Sequence, residues 1–145
     1  MQDEFRIEKV SWKTHARSLK NVREQVFIIE QEVPATLEWD GLDDDAQHLI
    51  ALNVKGEALG CVRLLSGGII GRMAVLKFWR GQGLGYALLQ RAIAIHQQQG
   101  EQVVILSAQW HAINFYEKSG FVRCSPPYLD ANILHIDMQL VTPIA

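Results

Sequence analysis

Apolar residues recur at two different periods along the chain, and the change of period marks the predicted elements. Residues 5–10 alternate weakly between apolar and polar side chains, which indicates a first strand. In residues 15–31 the apolar positions instead fall three and four residues apart, which predicts a helix with Thr14 as its N-cap. The predicted buried face of this helix consists of Leu19, Val22, Val26 and Ile29.

The rest of the chain continues as short strands and two further helices. The uninterrupted apolar run of residues 103–107 predicts a fully buried strand. Residues 126–132 contain two prolines and predict a loop. Residues 133–141 alternate, with Leu134, Ile136, Met138 and Leu140 predicted to face inward. The other predicted strands are 48–54, 59–65, 69–76 and 121–124, and the other predicted helices are 84–99 and 110–119.

This order of elements predicts an α/β fold in a single domain spanning residues 1–145. Short turns join the three strands between residues 48 and 76, so these strands are expected to be antiparallel. The helix 84–99 is a right-handed crossover that makes strands 69–76 and 103–107 parallel. The prediction is a mixed, mostly antiparallel sheet of about seven strands flanked by helices.

A glycine-rich turn between strand 69–76 and helix 84–99 is the first sign of chemistry. It reads Arg80-Gly81-Gln82-Gly83-Leu84-Gly85. Backbone N–H groups at a helix start have no intrahelical partner, and the helix dipole favours an anion there, which predicts a diphosphate site. The turn lacks the Gly-Lys-Ser/Thr end of a Walker loop and the third glycine of a dinucleotide fingerprint. A plain strand-to-helix turn is the remaining alternative.

Two motifs in register resemble the GNAT acyltransferases. Arg-x-x-Gly-x-Gly at residues 80–85 resembles motif A of that superfamily, and residues 112–121, Ala-Ile-Asn-Phe-Tyr-Glu-Lys-Ser-Gly-Phe, resemble its second signature. The resemblance covers roughly residues 5–141. It implies a fold in which the central parallel strands splay apart, and it implies that acetyl-CoA lies in the gap, with no metal.

The resemblance also implies the residues that hold the cosubstrate. Tyr116 matches the tyrosine that protonates the departing sulfur, and Gln109 stands where many members have an asparagine. The implied cofactor-binding set is Met73, Ala74, Val75, Arg80, Gly81, Gln82, Gly83, Leu84, Gly85, Gln109 and Tyr116.

No single residue stands out as the general base that deprotonates the acceptor. Histidine has a suitable unperturbed pKa, and a carboxylate acting through water is an alternative. His48 and Glu38 are chosen with Tyr116 as the catalytic set, because His48 follows an acidic loop and begins a central strand. The full list of candidates is Glu38, Asp40, His48, His111 and His135.

Charge adds one expectation about the acceptor. The formal net charge is −2, which argues against a broad nucleic-acid surface. Between Glu24 and Val54 there is no lysine or arginine, and an acidic wall that attracts a cationic acceptor competes with a solvated loop as the interpretation. Arg63 and Arg72, on neighbouring strands, either line a pocket or face solvent. The acids of this segment are Glu24, Glu30, Glu32, Glu38, Asp40, Asp43, Asp44 and Asp45.

Three features of the sequence predict a cytoplasmic protein. The two cysteines have no metal-ligand spacing, the N-terminus at residues 1–4 is acidic, and no apolar run is long enough to span a membrane.

The leading hypothesis is an N-acetyltransferase that moves the acetyl group of acetyl-CoA directly to a primary amine in a ternary complex. A non-catalytic acyl-CoA-binding regulatory module is the alternative. A homodimer is possible. Residues 130–138 further resemble a small bacterial GNAT branch with poorly defined acceptors, in which Asn132 and Leu134 replace a usual glycine and proline.

Overall fold

One mixed sheet organises the computed structural model, which describes residues 4–142. Its strands are β1 (Phe5–Val10), β2 (Gln47–Asn53), β3 (Ala58–Leu65), β4 (Ile69–Val75), β5 (Val103–Gln109), β6 (Val122–Arg123), β7 (Tyr128–Asp130) and β8 (Ile133–Val141). The helices are α1 (Trp12–Arg23), which continues as a π-helical turn (Glu24–Glu30), α2 (Ala35–Glu38), α3 (Leu84–Gln98) and α4 (Ile113–Glu117). Short 3₁₀ turns at Lys77–Trp79 and Trp110–Ala112 precede α3 and α4.

The strand order is β1-β2-β3-β4-β5-β8-β6, and β7 pairs with β8 as a hairpin. Only β4 and β5 are parallel, and they pair through Ile69–Ile105 and Ile70–Leu106 before they diverge. The predicted mixed sheet with a splayed parallel pair is therefore confirmed, and the strand missing from the prediction is β7. The predicted acidic N-terminus falls largely on residues 1–3, which lie outside the described residues.

A β-bulge explains why β4 leaves β5. In the β3–β4 ladder Cys61 pairs with Ala74 and Arg63 pairs with Gly71, so one extra residue of β4 lies between these pairs. Arg72 occupies this bulge with φ +48°, a left-handed conformation that is uncommon for a side chain other than glycine. A bulge bends its strand, and here the bend separates β4 from its parallel neighbour.

The sheet is buried on both faces between helices. Along β2, Leu49 and Ala51 pack in the cluster under α3, whereas Ile50 and Leu52 pack in the cluster under α1. This alternation explains why an apolar run without polar positions still forms a strand. Within residues 4–142, no helix is both long enough and apolar enough to cross a membrane.

The first helix begins earlier and ends differently from the prediction. Ser11 rather than Thr14 is the N-cap, because its hydroxyl oxygen accepts the N–H of Thr14 at 3.2 Å. Leu19, Val22 and Val26 are buried as predicted, but Ile29 is 66% exposed. The π-helical turn has more residues per turn, so Phe27 takes the buried place that a regular α-helix would have given Ile29.

Three further predictions about burial and loops are wrong. Strand β5 is not fully buried but alternates, so that one of its faces is open to a cleft. The predicted loop 126–132 contains β7 and a two-residue hairpin turn, in which Ala131 and Asn132 have φ +51° and +64°. Leu134 points outward, being 39% exposed, whereas Ile136 and Met138 are buried as predicted.

Candidate active site

A cleft of about 840 Å³ opens where β4 and β5 separate. Its floor is the unpaired edge of β4 from Gly71 to Val75, and its far wall is the exposed face of β5 with Ser107 and Gln109. The π-helical turn and the segment that follows it cover the cleft from above. Of the predicted site residues, those that line the cleft are Glu38, Met73, Ala74, Val75, Arg80, Gly81, Gly83, Gly85, Gln109 and Tyr116.

The glycine-rich turn forms one end of this cleft. Gly83 precedes α3 with φ +85°, a conformation that strains any other residue, and no side chain of residues 4–142 caps the helix there. A Cβ at Gly81 or Gly83 would meet nothing within 4 Å, so the backbone is open to a ligand. Two predicted members of the turn do not line the cleft. Leu84 is buried in the core, and the side-chain amide of Gln82 donates to the carbonyl of Phe78 at 3.2 Å.

Arg80 is bonded within the protein rather than extended toward solvent. Its Nη1 and Nη2 donate to the two carboxylate oxygens of Glu30 at 2.6 and 2.8 Å. Its Nε donates to the carbonyl oxygen of Val75 at 2.9 Å, so this carbonyl of the β4 edge has a partner. Hydrogen bonding to Arg80 lowers the pKa of Glu30. The pair joins the π-helical turn to the glycine-rich turn across the end of the cleft.

A second pair of contacts crosses the cleft beside the first. The amides of Gln31 and Gln109 donate to each other, with Nε2 of Gln31 3.2 Å from Oε1 of Gln109 and Nε2 of Gln109 2.8 Å from Oε1 of Gln31. The side chain of Gln109, which is longer than that of asparagine, thus reaches a partner within the protein, Gln31. The sequence analysis placed Glu30 only in the possible acidic wall and did not predict Gln31 as a site residue.

Tyr116 lies on α4 with its hydroxyl at the floor of the cleft. The hydroxyl donates to Sδ of Met73 at 3.7 Å, and the ring packs edge-on against Phe115 and Phe121. Burial raises the pKa of Tyr116 to about 12. The phenol is therefore fully protonated at neutral pH and can donate a proton to a group that is held next to Met73.

A closed ring of ion pairs lies beside the cleft, and two of its members, Glu38 and Arg72, line the cleft. Each arginine of the ring contacts two carboxylates, and each carboxylate contacts two arginines, so the ring has no net charge. The members are Arg23, Arg63 and Arg72 with Glu38, Asp40 and Asp43.

Arg23 is the most buried member, with 1% of its side chain exposed. Its Nε donates to Glu38 at 2.8 Å and its Nη1 to Asp43 at 2.6 Å. The guanidinium lies 5.5 and 5.1 Å from the ring centroids of Trp12 and Trp39, within the range of cation–π attraction.

The other two arginines complete the ring. Arg63 donates to Asp40 at 2.8 Å and to Asp43 at 3.2 Å. Arg72 donates to Asp40 at 3.1 Å, and its Nε lies 3.1 Å from Glu38 as an ion pair without hydrogen-bond alignment. Arg63 thus neither lines the cleft nor faces solvent, whereas Arg72 lines the cleft.

The ring corrects the prediction of an acidic wall. Glu38, Asp40 and Asp43 are neutralised by arginines from α1, β3 and β4, and Glu30 is neutralised by Arg80. These four acids therefore provide no free negative field for a cationic acceptor, and their carboxylates have structural partners.

Two carboxylates of the ring are candidate bases, and their pKa values are shifted in opposite directions. Burial raises the pKa of Glu38, although Arg72 and Arg23 oppose that rise. For Asp40, burial also raises the pKa, but the hydrogen bond from Arg63 and the charges of Arg63 and Arg72 outweigh it and hold the pKa at about 2. Asp40 is therefore a poor proton acceptor near neutral pH.

The three histidine candidates lie in different places. His48 does not face the cleft, which contradicts the prediction: it is 1% exposed, its ring packs against Trp12, and its Nε2 lies 3.0 Å from the carbonyl oxygen of Asp43. Burial lowers the pKa of His48. His111 and His135 both line the cleft, and Nδ1 of His135 lies 2.7 Å from the carbonyl oxygen of Ile133.

A chain of oxygen atoms leads from the cleft into the β7–β8 hairpin. The hydroxyl of Ser107 is hydrogen-bonded to the hydroxyl of Tyr128, which donates to Oδ1 of Asp137 at 2.5 Å. The sequence prediction did not find this chain, because Tyr128 was assigned to a loop. The alternation of residues 133–141 did place Asp137 on the polar side of its strand.

The cleft fits acetyl-CoA. It combines a strand edge that is unpaired within residues 4–142, a helix start preceded by glycines with open space above them, and a buried phenol beside the strand. Such features suit an amide-containing arm, a diphosphate and a thiolate that needs a proton.

Comparison with known proteins identifies the family. Residues 13–142 match the family model of the acetyltransferase (GNAT) domain. The chain therefore belongs to the GNAT acetyltransferase family, and it is an acetyl-CoA-dependent acyltransferase. The resemblance that the two sequence motifs indicated is confirmed.

Its relatives include proteins of known structure. YjcF of Bacillus subtilis, described as an uncharacterized N-acetyltransferase, is 36% identical over 121 residues, which cover 81% of this chain and 86% of YjcF. An acyl-CoA N-acyltransferase from Pseudomonas aeruginosa is 34% identical, with a TM-score of 0.81 over 95% of this chain and 99% of that protein. Escherichia coli ElaA is 27% identical, with a TM-score of 0.82 over 92% of this chain and 98% of ElaA.

Proposed function

We propose that this protein transfers the acetyl group of acetyl-CoA directly to a primary amine while both substrates are bound. The observation that carries the proposal is the Tyr116 hydroxyl, which lies beside Met73 on the splayed strand inside the cleft. A sensor of acyl-CoA, the alternative function, has no need of a proton donor at this position. Turnover with any amine excludes that alternative.

In this proposal the cosubstrate is held by the two ends of the cleft. The backbone N–H groups of Gly81, Gln82, Gly83, Leu84 and Gly85 and the guanidinium of Arg80 bind the diphosphate. Met73, Ala74 and Val75 offer the edge of β4 to the pantetheine amides, and Gln109 adds a side-chain amide from β5. Acetyl-CoA supplies a thioester whose carbonyl carbon accepts the amine.

The protein's own groups then manage charge and protons. Tyr116, neutral because of its raised pKa, protonates the sulfur as the carbon–sulfur bond breaks. The thiol in the same low-dielectric cleft also has a raised pKa, which favours this transfer. Glu38 lines the cleft, but its ion pairs with Arg23 and Arg72 favour a role in holding this wall of the cleft in place.

The acceptor is proposed to be a small primary amine, which is a cation in neutral solution. With Glu30, Glu38, Asp40 and Asp43 paired, support for a cationic acceptor comes from Asp130, which lines the cleft at the end of β7. We further propose that the enzyme works in the cytoplasm, where the thiols of Cys61 and Cys124 stay reduced. A homodimer through the outer edge of β1 is a prediction that sedimentation velocity tests.

Thermal unfolding with and without acetyl-CoA tests the cosubstrate site. At about a hundredfold excess over the dissociation constant, binding stabilises the fold by about 2.7 kcal/mol, or about 5 to 10 °C in melting temperature. Gly83→Glu, which puts a side chain and a negative charge in the turn, should abolish this shift. Gly56→Glu is a matched control, because Gly56 has φ +81° and open space but lies in the β2–β3 turn. Equal shifts in both variants would contradict the diphosphate site.

Tyr116→Phe tests the proton donor separately from binding. The variant keeps the ring and its packing, so the acetyl-CoA shift should persist while kcat for amine acetylation falls about 100-fold. Thiol release from acetyl-CoA with a panel of primary amines gives the rate. An unchanged kcat would remove Tyr116 from the mechanism.

A further inference from the structure

We propose that Ser107, Tyr128 and Asp137 form a proton relay that carries the acceptor's proton out of the cleft. The proposal rests on the proposed function, because it supplies the general base for an amine acceptor. Ser107 is the member that touches the amine, and Tyr128 and Asp137 act through it.

The position of Ser107 places one end of this relay at the reacting groups. Ser107 follows Leu106, the last residue of β5 that pairs with β4, so it lies at the point where the two strands separate. Its side chain is exposed and lines the cleft. An amine that enters between the strands reaches the Ser107 hydroxyl before any other oxygen of the relay.

Strand register holds the other two members against Ser107. Asp137 of β8 is directly opposite Ser107 of β5, and Tyr128 of β7 is opposite His135, two residues before Asp137. The backbone N–H of Asp137 donates to the hydroxyl of Ser125 at 2.9 Å, which fixes the strand from its other side. Three strands thus align the three oxygen atoms.

The number of available protons fixes the direction of the hydrogen bonds. Tyr128 has one hydroxyl proton, and it is donated to the Asp137 carboxylate at 2.5 Å. The hydrogen bond between Ser107 and Tyr128 must therefore be donated by Ser107. The lone pairs of the Ser107 oxygen are not used in that hydrogen bond, so they are free to accept a proton from an ammonium group in the cleft.

The proposed transfer moves one proton and leaves both hydroxyl groups neutral. The ammonium gives a proton to Ser107, the Ser107 proton moves to Tyr128, and the Tyr128 proton moves to Asp137. The neutral amine then forms a bond to the acetyl carbon, the carbon–sulfur bond breaks, and the thiolate takes its proton from Tyr116. The second amine proton passes through solvent to the Tyr116 phenolate and restores the phenol, and Asp137 returns its own proton to solvent.

Three titratable side chains lie next to the relay: His135, Asp130 and Cys124. The ring of His135 stacks on Tyr128 with centroids 6.0 Å apart, Asp130 ends the same strand as Tyr128, and the thiol of Cys124 lies near Asp137. Burial and the hydrogen bond to Asp137 raise the pKa of Tyr128, so the phenol stays protonated between transfers.

Proton NMR of the free protein tests whether the hydrogen-bonded chain exists. We expect a resonance far downfield of the backbone amides from the proton shared by Tyr128 and Asp137. It should be lost in Tyr128→Phe and Asp137→Asn and kept in Ser66→Ala, which removes an exposed hydroxyl from the β3–β4 turn, outside the relay. Absence of this resonance from the unaltered protein would overturn the proposal.

Kinetics with two model amines test whether the chain carries protons. Nα-acetyl-lysine amide has an amine pKa of about 10.4, and alanine amide one of about 8. In Tyr128→Phe we expect kcat/KM for the lysine compound to fall about 100-fold at pH 7 and to approach that of the unaltered enzyme near pH 10.5, where about half of the amine is already neutral. For alanine amide the loss at pH 7 should be under about 10-fold.

The pH profile separates a relay from a structural role. An equal loss for both amines at every pH would overturn the relay, as would a normal profile in Tyr128→Phe. If the unaltered enzyme acetylates neither compound, the proposed acceptor class fails, and the NMR resonance then decides the relay on its own. Ser66→Ala should keep the profile of the unaltered enzyme.

Discussion

Arg23→Met is expected to be among the most damaging single substitutions outside the core. The arginine is 1% exposed and contacts both Glu38 and Asp43 in the closed ring. Methionine fills a similar space between the two tryptophans that flank the guanidinium, so packing is largely kept. What is lost is a positive charge, which leaves a buried ring with three carboxylates and two arginines.

The magnitude follows from the two contacts. Removing one partner of a buried ion pair costs about 3 to 5 kcal/mol. Both carboxylates keep a second arginine, Arg72 for Glu38 and Arg63 for Asp43, which favours the lower end of this range. The cation–π contacts add up to about 1 kcal/mol. We expect a loss of about 3 to 4 kcal/mol in the free energy of unfolding, or about 6 to 16 °C in melting temperature.

Urea denaturation at pH 7 measures this loss, and two further variants sharpen it. Arg17→Met removes an exposed arginine from the same helix and should change the free energy of unfolding by less than about 0.5 kcal/mol. Arg23→Met combined with Asp43→Asn restores equal numbers of positive and negative charges. The double variant should therefore be at least about 1 kcal/mol more stable than the sum of the two single losses predicts.

Two results would refute the reasoning. A loss below about 1 kcal/mol in Arg23→Met would mean that water or the remaining arginines compensate fully for the missing charge. Additive losses in the double variant would mean that Arg23 and Asp43 do not depend on each other, although the atoms lie 2.6 Å apart.

Three more predictions follow from single contacts. Glu30→Gln frees Arg80 from its carboxylate partner and should tighten acetyl-CoA binding about 2- to 5-fold by calorimetry, since an exposed pair contributes up to about 1 kcal/mol. The lowered pKa of Asp40 means that its stabilising effect is complete above about pH 4 and is lost as the pH falls toward about 2, so Asp40→Asn should flatten urea stability across this window. Gly68→Ala should destabilise by more than about 2 kcal/mol by thermal unfolding, because φ is +81° and the new Cβ would clash with the carbonyl oxygen of Val103.

The elements of the sheet could be predicted because their signals are local. Alternating residues, glycine-containing turns and a crossover helix determine β1 to β5 and their directions, and the structure agrees within one or two residues at most strand ends. The glycine-rich turn was equally predictable. Its three glycines precede the helical apolar pattern in the sequence, and Gly83 has φ +85° directly before α3.

The ring of ion pairs could not be predicted, because its partners are distant in the chain. The acids lie within residues 38–43, whereas the arginines come from α1, β3 and β4. A segment that lacks lysine and arginine looks like a negative surface when it is read alone. The same limit explains His48, whose position at the start of a strand gave no sign that Trp12 and the Asp43 carbonyl enclose it.

The β7–β8 hairpin was missed for a different reason. Its two-residue turn needs a left-handed backbone at both positions, for which Asn-Gly is the usual signal. Here Ala131 and Asn132 adopt it, and alanine gives no such signal. Without the hairpin, Tyr128 had no strand register, and its contact with Asp137 could not be inferred.

The ring also accounts for the shape of the cleft. Arg72 has a left-handed backbone that costs about 1 to 3 kcal/mol, and such strain persists only where surrounding contacts fix it. Its guanidinium is held by Glu38 and Asp40 and by the carbonyls of Leu37 and Glu38 at 3.2 and 3.1 Å. These contacts keep the bulge in place, and the bulge turns β4 away from β5. The ion pairs of the ring therefore help to hold open the gap between the two strands.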